Sequence, residues 1–521
     1  MSGRILAGAA AAALAAAGCS MLPSVGPDYA EPESALPRAE VPDAGMPTTN
    51  RTATGEFAVA GAAEDSRREL EPSALSAWWG RFNDPQLSGL VESAVSNNLS
   101  YAMAQERLEA SRWQLLGTCA AYLPKIDASG GFTRLERGRD TSTMVGTGRT
   151  LHRDLFTAGF DASWEIDIFG ASRRATEAAA ADAEAAAFKV ADAWVTLTSE
   201  VGLRYLDLRT TQQRIAVART NLVLQTETYD ILKSRLDSGI GDELAVSQSR
   251  YILEETHATI PGLLAQEESL MNALAILAGR IPGELRGELA GCPERDWLTE
   301  PLKLGEIPLD LVRTRPDVRA AERALAAQVA RIGYAKAQWY PRLFINGSLG
   351  LESVKMSDFA GRGALYGSLG PSVSWPIFRG GAIYSNVKAE EARTREACLA
   401  WELAIDTALG EVRDAYAAYS QEYHRFEALK NAAQAARDAV AISNDLYKNG
   451  LKDFTAVIDA QRSLLTLEEA LVISRGQISG CAITLFKALG GGLAGVKDGD
   501  SAGSSETNEA AETTEEKGSV K

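Results

Sequence analysis

The sequence predicts a mainly α-helical protein with a membrane β-barrel portion, made from a duplicated unit of long coiled-coil helical hairpins plus four strands. Three observations predict it. A constant offset of 211 residues aligns Trp164 with Trp375 and Gly239 with Gly450, so WEIDIFG and WPIFRGG open two similar stretches. Such self-similarity marks a fold built by repeating one unit. Between Gly170 and Leu236 there is no proline and almost no glycine, and Val201, Leu208, Ile215, Leu222, Tyr229 and Leu236 fall seven apart. That is a coiled-coil seam, and the offset carries it in phase to Val412, Tyr419, Phe426, Ala433, Val440 and Tyr447. Between these runs the hydrophobic period drops to two. From Phe156 to Asp167 one face reads Phe, Ala, Phe, Ala, Trp, Ile and the other Thr, Gly, Asp, Ser, Glu, Asp, the alternation of a strand with one apolar and one wet side.

The N-terminus is a processing signal. Arg4 supplies a charge, Ile5 to Ala17 is apolar but too short to span a bilayer, and Ala16-Ala17-Gly18-Cys19 follows. This ending resembles a bacterial lipobox, which implies cleavage before Cys19 and acylation, including palmitate, of that cysteine. Ala16 stands where such signals usually carry Leu. Ser20 after the cysteine is compatible with transfer to the outer membrane. The next residues, to about 75, are rich in Pro, Ala, Gly, Glu and Thr and read as an extended linker or a strap on the body.

At WWGRFNDP, beginning at Trp78, the character changes, and Leu87, Leu90, Val91, Ala94 and Val95 recur at helical spacing. A second helix fits Ser100 to Tyr122, stopped by Pro124. Strands follow at Lys125 to Arg137 and from Phe156, with a polar loop between. The long helix of about 67 residues, near 100 Å at 1.5 Å per residue, turns at Gly239 and returns from Asp242 to about Ala278. The returning arm is shorter, and the helix at 100–122 supplies the missing length end to end with it. After a connector the pattern repeats: Pro308 to Asp317 leads into a helix ending before Pro341, strands fit Arg342 to Glu352 and Leu365 to Ile377, and the second hairpin runs to Leu489.

The segments are thus a signal peptide at 1–18, a lipid anchor and linker at 19–75, and a first repeat at 76–279 with its β-hairpin at 125–168 and helical hairpin at 170–278. A connector at 280–307 precedes the second repeat at 308–490, with a helix at 316–340, a β-hairpin at 342–377 and a helical hairpin at 381–489. A disordered tail fills 491–521.

Composition narrows the function. Lys plus Arg total 53 against 69 Asp plus Glu, a net charge of −16, which argues against a nucleic-acid partner. No stretch after the signal approaches the roughly 18 apolar residues of a spanning helix, so any crossing is by strands. Cys119, Cys292, Cys398 and Cys481 are scattered and read as small buried residues. His152, His257 and His424 are equally dispersed, so no metal site or cofactor is expected. Phosphate-binding, nucleophile-elbow and zinc-protease motifs are absent from the sequence, and no enzyme activity is expected.

From Trp78 to Gly492 the chain resembles the outer membrane factor family, the TolC-like channels of tripartite efflux systems and their lipoprotein members. WWGRFNDPQL, the run from PLDLVRTRPDVRAAERAL to WYPRL, and GLKDFTAVIDAQRSLL with the closing LFKALGGG carry the resemblance. Four strands cannot close a barrel alone, so other subunits must satisfy the edges. The resemblance implies a homotrimer with a twelve-stranded barrel continued by an α-helical tunnel into the periplasm. It implies a passive exit duct for drugs or other small molecules, driven by an inner membrane transporter through a periplasmic adaptor protein. A protein-secretion channel or a non-channel coiled-coil scaffold is the alternative.

A duct needs a gate, and the hairpin tips are its expected place. Asp445, Lys448 and Asp237 are the gate candidates, Asp445 foremost because Ser234 holds the equivalent position of the first repeat. Three copies of one aspartate about an axis form a ring of like charge able to bind a cation. Gly239 and Gly450 suit reversals that need positive φ, and with Asp242 and Asp453 they form the expected adaptor contact. Asp242 and Asp453 also read as helix caps. Trp164 and Trp375 fit either an aromatic belt at the lipid interface or packing at a strand-to-helix corner. Arg315-Pro316-Asp317 reads as helix initiation.

Overall fold

The computed structural model describes residues 25–30, 78–137, 151–291, 312–449 and 451–491. The signal, Cys19, most of the linker, the connector beyond Gly291, Gly450 and the tail from 492 lie outside the described residues. The chain divides into two compact units, each drawing on both halves of the sequence.

The first unit contains residues 106–187 and 320–403 with the N-terminal segment. It holds the sheet, in which β1 (Lys125–Arg137), β2 (Leu151–Ile166), β3 (Arg342–Ser353) and β4 (Leu365–Ser374) run antiparallel in the order β1-β2-β3-β4. The register pairs Ala128 with Phe160, Phe160 with Leu349, and Gly347 with Leu369. This places most apolar residues of the four strands on one face, with Leu155 and Phe344 on the other. Ile126, Phe132, Phe160, Leu349, Leu369 and Val373 are each more than half exposed there. Differences from the expected strands are local. β2 begins inside the expected loop, because Asp154 there is opposite Arg134 and bonds its guanidinium at 2.7 Å. β4 stops at Ser374, ahead of Pro376, and carries Pro371, which an edge strand tolerates.

The same unit seats the segment at 25–30. Val25 N–H donates to the Phe169 carbonyl at 3.3 Å, and Arg174, almost fully buried, bonds Asp28 at 2.5 Å. Tyr29 packs on Ala181, Ala326 and Ala327, and its hydroxyl donates to Glu322 at 3.2 Å. The part of the linker that is described is therefore a docked strap.

Helices fill the rest: α1 (Pro85–Asn97), α2 (Leu99–Cys119), α3 (Ala171–Asp237), α4 (Glu243–Leu277), α5 (Arg286–Leu289), α6 (Pro316–Ala337), α7 (Ala382–Lys448) and α8 (Phe454–Ala488). α3 and α7 each have 67 residues, and α4 and α8 each have 35, so the duplication holds to the residue. The second unit takes residues 35–105, 188–319 and 404–521. In it the heptad positions Val201, Leu208, Ile215, Val412, Tyr419, Phe426 and Ala433 are buried, as a coiled-coil seam requires, whereas Leu222, Tyr229, Leu236, Val440 and Tyr447, nearer the tips, are only half-buried. Trp78 is fully buried and stacks on Phe486, with ring centroids 6.2 Å apart, so the WWGRF run is a core anchor. The described cysteines Cys119, Cys398 and Cys481 are half-buried and not buried as expected.

Candidate functional site

Every second strand residue builds the polar face of the sheet. One row from β1 to β4 reads Ser129, Gly159, Gly350, Tyr366, and the next reads Asp127, Asp161, Ser348, Ser368. The rows are knitted by side-chain hydrogen bonds: Ser163 donates to Asn346 at 2.9 Å, Asn346 to Ser372 at 2.7 Å, and Ser348 pairs with Ser368 at 2.7 Å. Asp127 stands directly across from Asp161, a like-charge pairing that costs energy unless water or a donor relieves it. Ser129 relieves it in part, donating to Asp161 at 3.0 Å. Where strands meet helices, Trp164 Nε1 donates to the Tyr122 carbonyl at 2.9 Å and Trp375 Nε1 to the Trp339 carbonyl at 3.0 Å. Each indole ties a strand end to the chain just before the preceding Pro124 or Pro341, as corner packing requires, while the Trp375 ring stays 60% exposed.

At the far ends of the long helices, the tips of the two hairpins pack on each other. Leu232, Ala245, Ile252, Phe454, Val457 and Ile458 form one buried cluster, with Tyr447 against it. The Arg235 guanidinium lies 5.5 Å over the Tyr447 ring. Gly239 has φ +73. Its N–H donates to the Leu236 carbonyl and that of Ile240 to the Arg235 carbonyl, at 2.9 and 3.1 Å, the two bonds that close a helix through a left-handed residue. Leu451 N–H to the Leu446 carbonyl at 2.9 Å repeats the second bond in the other hairpin, although Gly450 itself lies outside the described residues.

Asp242 caps α4, accepting from the Leu244 N–H at 3.0 Å, while Asp453 precedes α8 without a side-chain cap bond. Asp237 and Lys448 are the last residues of α3 and α7, and Asp445 lies one turn earlier; all three are exposed. The Asp445 carbonyl accepts from Asn449 as the Ser234 carbonyl accepts from Ser238. The backbones of the two hairpins match there, and only the side chains differ.

Sequence reasoning gave Arg315 too small a part. Its guanidinium bonds Asp317 and Glu411 at 2.8 and 2.7 Å and the last carbonyl of α8, Ala488, at 2.8 Å. The Arg-Pro-Asp spacing hinted at the first bond alone. A second buried network was also unread: Tyr205 donates to Asp84 at 2.6 Å while Asp84 caps α1 through the Gln86 N–H at 2.9 Å. Burial, reinforced by the hydrogen bond to Asp84, pushes the Tyr205 hydroxyl pKa well up.

A sheet with one greasy and one hydrogen-bonded face, carried by duplicated coiled-coil hairpins, defines a channel-type outer membrane protein. A family model described as outer membrane efflux protein matches residues 90–280 and 309–491. Nodulation protein T of Rhizobium leguminosarum bv. viciae is 31% identical over 439 residues, covering 84% of this chain and 88% of its own. The probable outer membrane lipoprotein SilC of Salmonella typhimurium is 28% identical over 441 residues, covering 82% and 91%. Among solved structures, the outer-membrane channel OprN is 30% identical, with a TM-score of 0.77 over 90% of this chain and 99% of its own. The chain belongs to the outer membrane efflux protein family, and its fold is that of the TolC-like outer membrane channels, as the three motifs implied.

Proposed function

We propose that this protein is the outer membrane duct of a tripartite efflux pump, assembled as a homotrimer and passive in itself. The observation that carries the reading is the sheet. Its exposed apolar face suits lipid, its opposite face is polar, and β1 and β4 have no outer strand partner among the described residues. Open sheet edges do not occur in the hydrocarbon region, so further copies of the same sheet complete the barrel, with twelve strands in the homotrimer that the family resemblance implies. An inner membrane transporter supplies the energy and a periplasmic adaptor meets the hairpin tips, where Gly239, Gly450, Asp242 and Asp453 form the contact. The substrates are drugs or other small molecules. Asp445, with Lys448 and Asp237, narrows the tip as a gate.

Acylated Cys19 anchors the chain to outer membrane lipid; SilC, named a lipoprotein, supports this. The wild type is expected to incorporate labelled palmitate and the Cys19→Ser variant none. A labelled variant would overturn the anchor.

The duct is tested with purified protein, which is expected to run on gels as a heat-sensitive trimer and to give single-channel currents in planar bilayers. A monomer that passes no current would overturn the duct. In the same bilayers Asp445→Ala is expected to raise conductance and to relieve block by divalent cations. Unchanged conductance and block would remove Asp445 from the gate.

A further inference from the structure

At the helix-proximal end of the polar face, within the first unit, lies a cavity of about 590 Å³. That is inside the roughly 300–1,000 Å³ range of small-molecule sites. Four chain corners converge on it: the start of β1 brings Lys125, the end of β2 Glu165, the start of β3 Arg342, and the turn into α7 Arg379, with Ser172 from α3 and Tyr334 from α6. Its lining is cationic although the whole chain carries −16. Glu165 is the one acidic side chain of the lining, and Arg342 spends its guanidinium on it through a two-pronged ion pair, one bond measuring 2.7 Å. Neither Lys125 nor Arg379 makes an ion pair with an acidic side chain among the described residues. Two unneutralised cations therefore remain facing one concave space. A half-exposed aromatic, Tyr334, and the Ser172 hydroxyl stand beside them.

In a chain whose net field repels anions, the cavity is a place where an anion gains from local charge. Two cations on separate elements favour a ligand with two acidic groups or one spread anionic group such as a sulfonate or phosphate ester. The Tyr334 ring favours a planar apolar body, since aromatic faces bury area at low entropic cost. The cavity is lined by polar-face residues, so its occupant arrives along that face.

We propose that this cavity is a binding site for organic anions in transit, with Lys125 and Arg379 supplying the recognition charge. The proposal rests on reading the polar face as the wall of a duct. Because both cations border water, binding weakens as salt shortens the Debye length, which is about 10 Å at 0.1 M.

The test uses the full-length detergent-solubilised protein and naphthalene-1,5-disulfonate as probe, in equilibrium dialysis at low salt. Saturable binding is expected, weakened at least tenfold in the Lys125→Gln/Arg379→Gln double variant and unchanged in Lys233→Gln, an exposed lysine elsewhere on α3. Equal binding by wild type and double variant overturns the site. A short-chain phosphatidylglycerol that displaces the probe where glycerol phosphate does not would assign the cavity to a lipid headgroup and overturn transit. In phosphatidylcholine bilayers the probe is expected to block current through the wild type and not through the double variant. Absence of any current would count against the duct, while dialysis still decides the site.

Discussion

Asp192 on α3 illustrates how a single carboxylate records its surroundings. Burial raises its pKa first, and Asp317 and Glu411 push the same way against Arg315 and Lys487. A carboxyl whose folded pKa lies above its unfolded value, about 3.9, binds its proton more tightly in the folded state. Stability therefore rises as pH falls from neutral through the raised pKa, and the gain is complete below the unfolded value. Asp192→Asn, which removes the buried charge, is accordingly expected to melt higher than the wild type at pH 7 to 8, with the advantage shrinking on acidification. Melting curves across this range check it, and a variant less stable at neutral pH would show that Arg315 and Lys487 outweigh burial. The same neighbourhood shows why Arg315 could not be read from its motif alone. Its partners Glu411 and Ala488 lie about a hundred residues or more away in sequence, whereas Asp317 is two residues on.

Among the elements, the duplication was legible because a heptad and an offset are periodic, and periodic signals survive the divergence of individual residues. The end-to-end meeting of helices was legible as a length deficit, and the structure supplies its chemistry in the second unit. Asn98 donates to the Leu277 carbonyl at 3.0 Å while its Oδ1 caps α2 through the Tyr101 N–H at 2.9 Å. In the other repeat, Arg315 takes the place of Asn98 against the end of α8. The cationic cavity was illegible, since Lys125 and Arg379 are far apart in sequence, and the WPIFRGG run that contains Arg379 says nothing of Lys125. Only the convergence of strand ends and helix starts brings them together. The turns permit a graded test. Gly239 and Gly279 both adopt positive φ, +73 and +69, but a Cβ meets open space at Gly239 and the Asn97 backbone at Gly279. A left-handed β-branched residue costs about 1–2 kcal/mol from conformation alone. Gly239→Val is expected to lose about that much and Gly279→Val clearly more, because the junction with α1 must also shift. Denaturant midpoints of the two variants check the order, and equal losses would mean that the junction yields freely.

For the whole molecule the question is which solvent each surface meets. No described helix is long and apolar enough to cross a membrane, and the large side chains of the apolar sheet face are exposed among the described residues. Soluble antiparallel sheets cover such a face with helices or a second sheet, since leaving it in water forfeits about 25 cal/mol for each Å² of apolar surface. Lipid is the medium in which this face needs no cover. Two adjacent residues of β3 separate the alternatives. Leu349, opposite Phe160, lies on the apolar face; Ser348, opposite Asp161, lies on the polar one. If the sheet spans, Leu349→Arg places a charge in hydrocarbon at a cost of about 2–4 kcal/mol near mid-membrane, whereas Ser348→Arg places it in water beside Asp161. Leu349→Arg is therefore expected to lower the yield of folded protein in the outer membrane several-fold, with Ser348→Arg accumulating nearly as the wild type does. In a soluble sheet the order would vanish or reverse, because an exposed arginine in place of an exposed leucine costs nothing in water. Fractionation of cell envelopes, scored by the heat-sensitive oligomer in each variant, distinguishes the two.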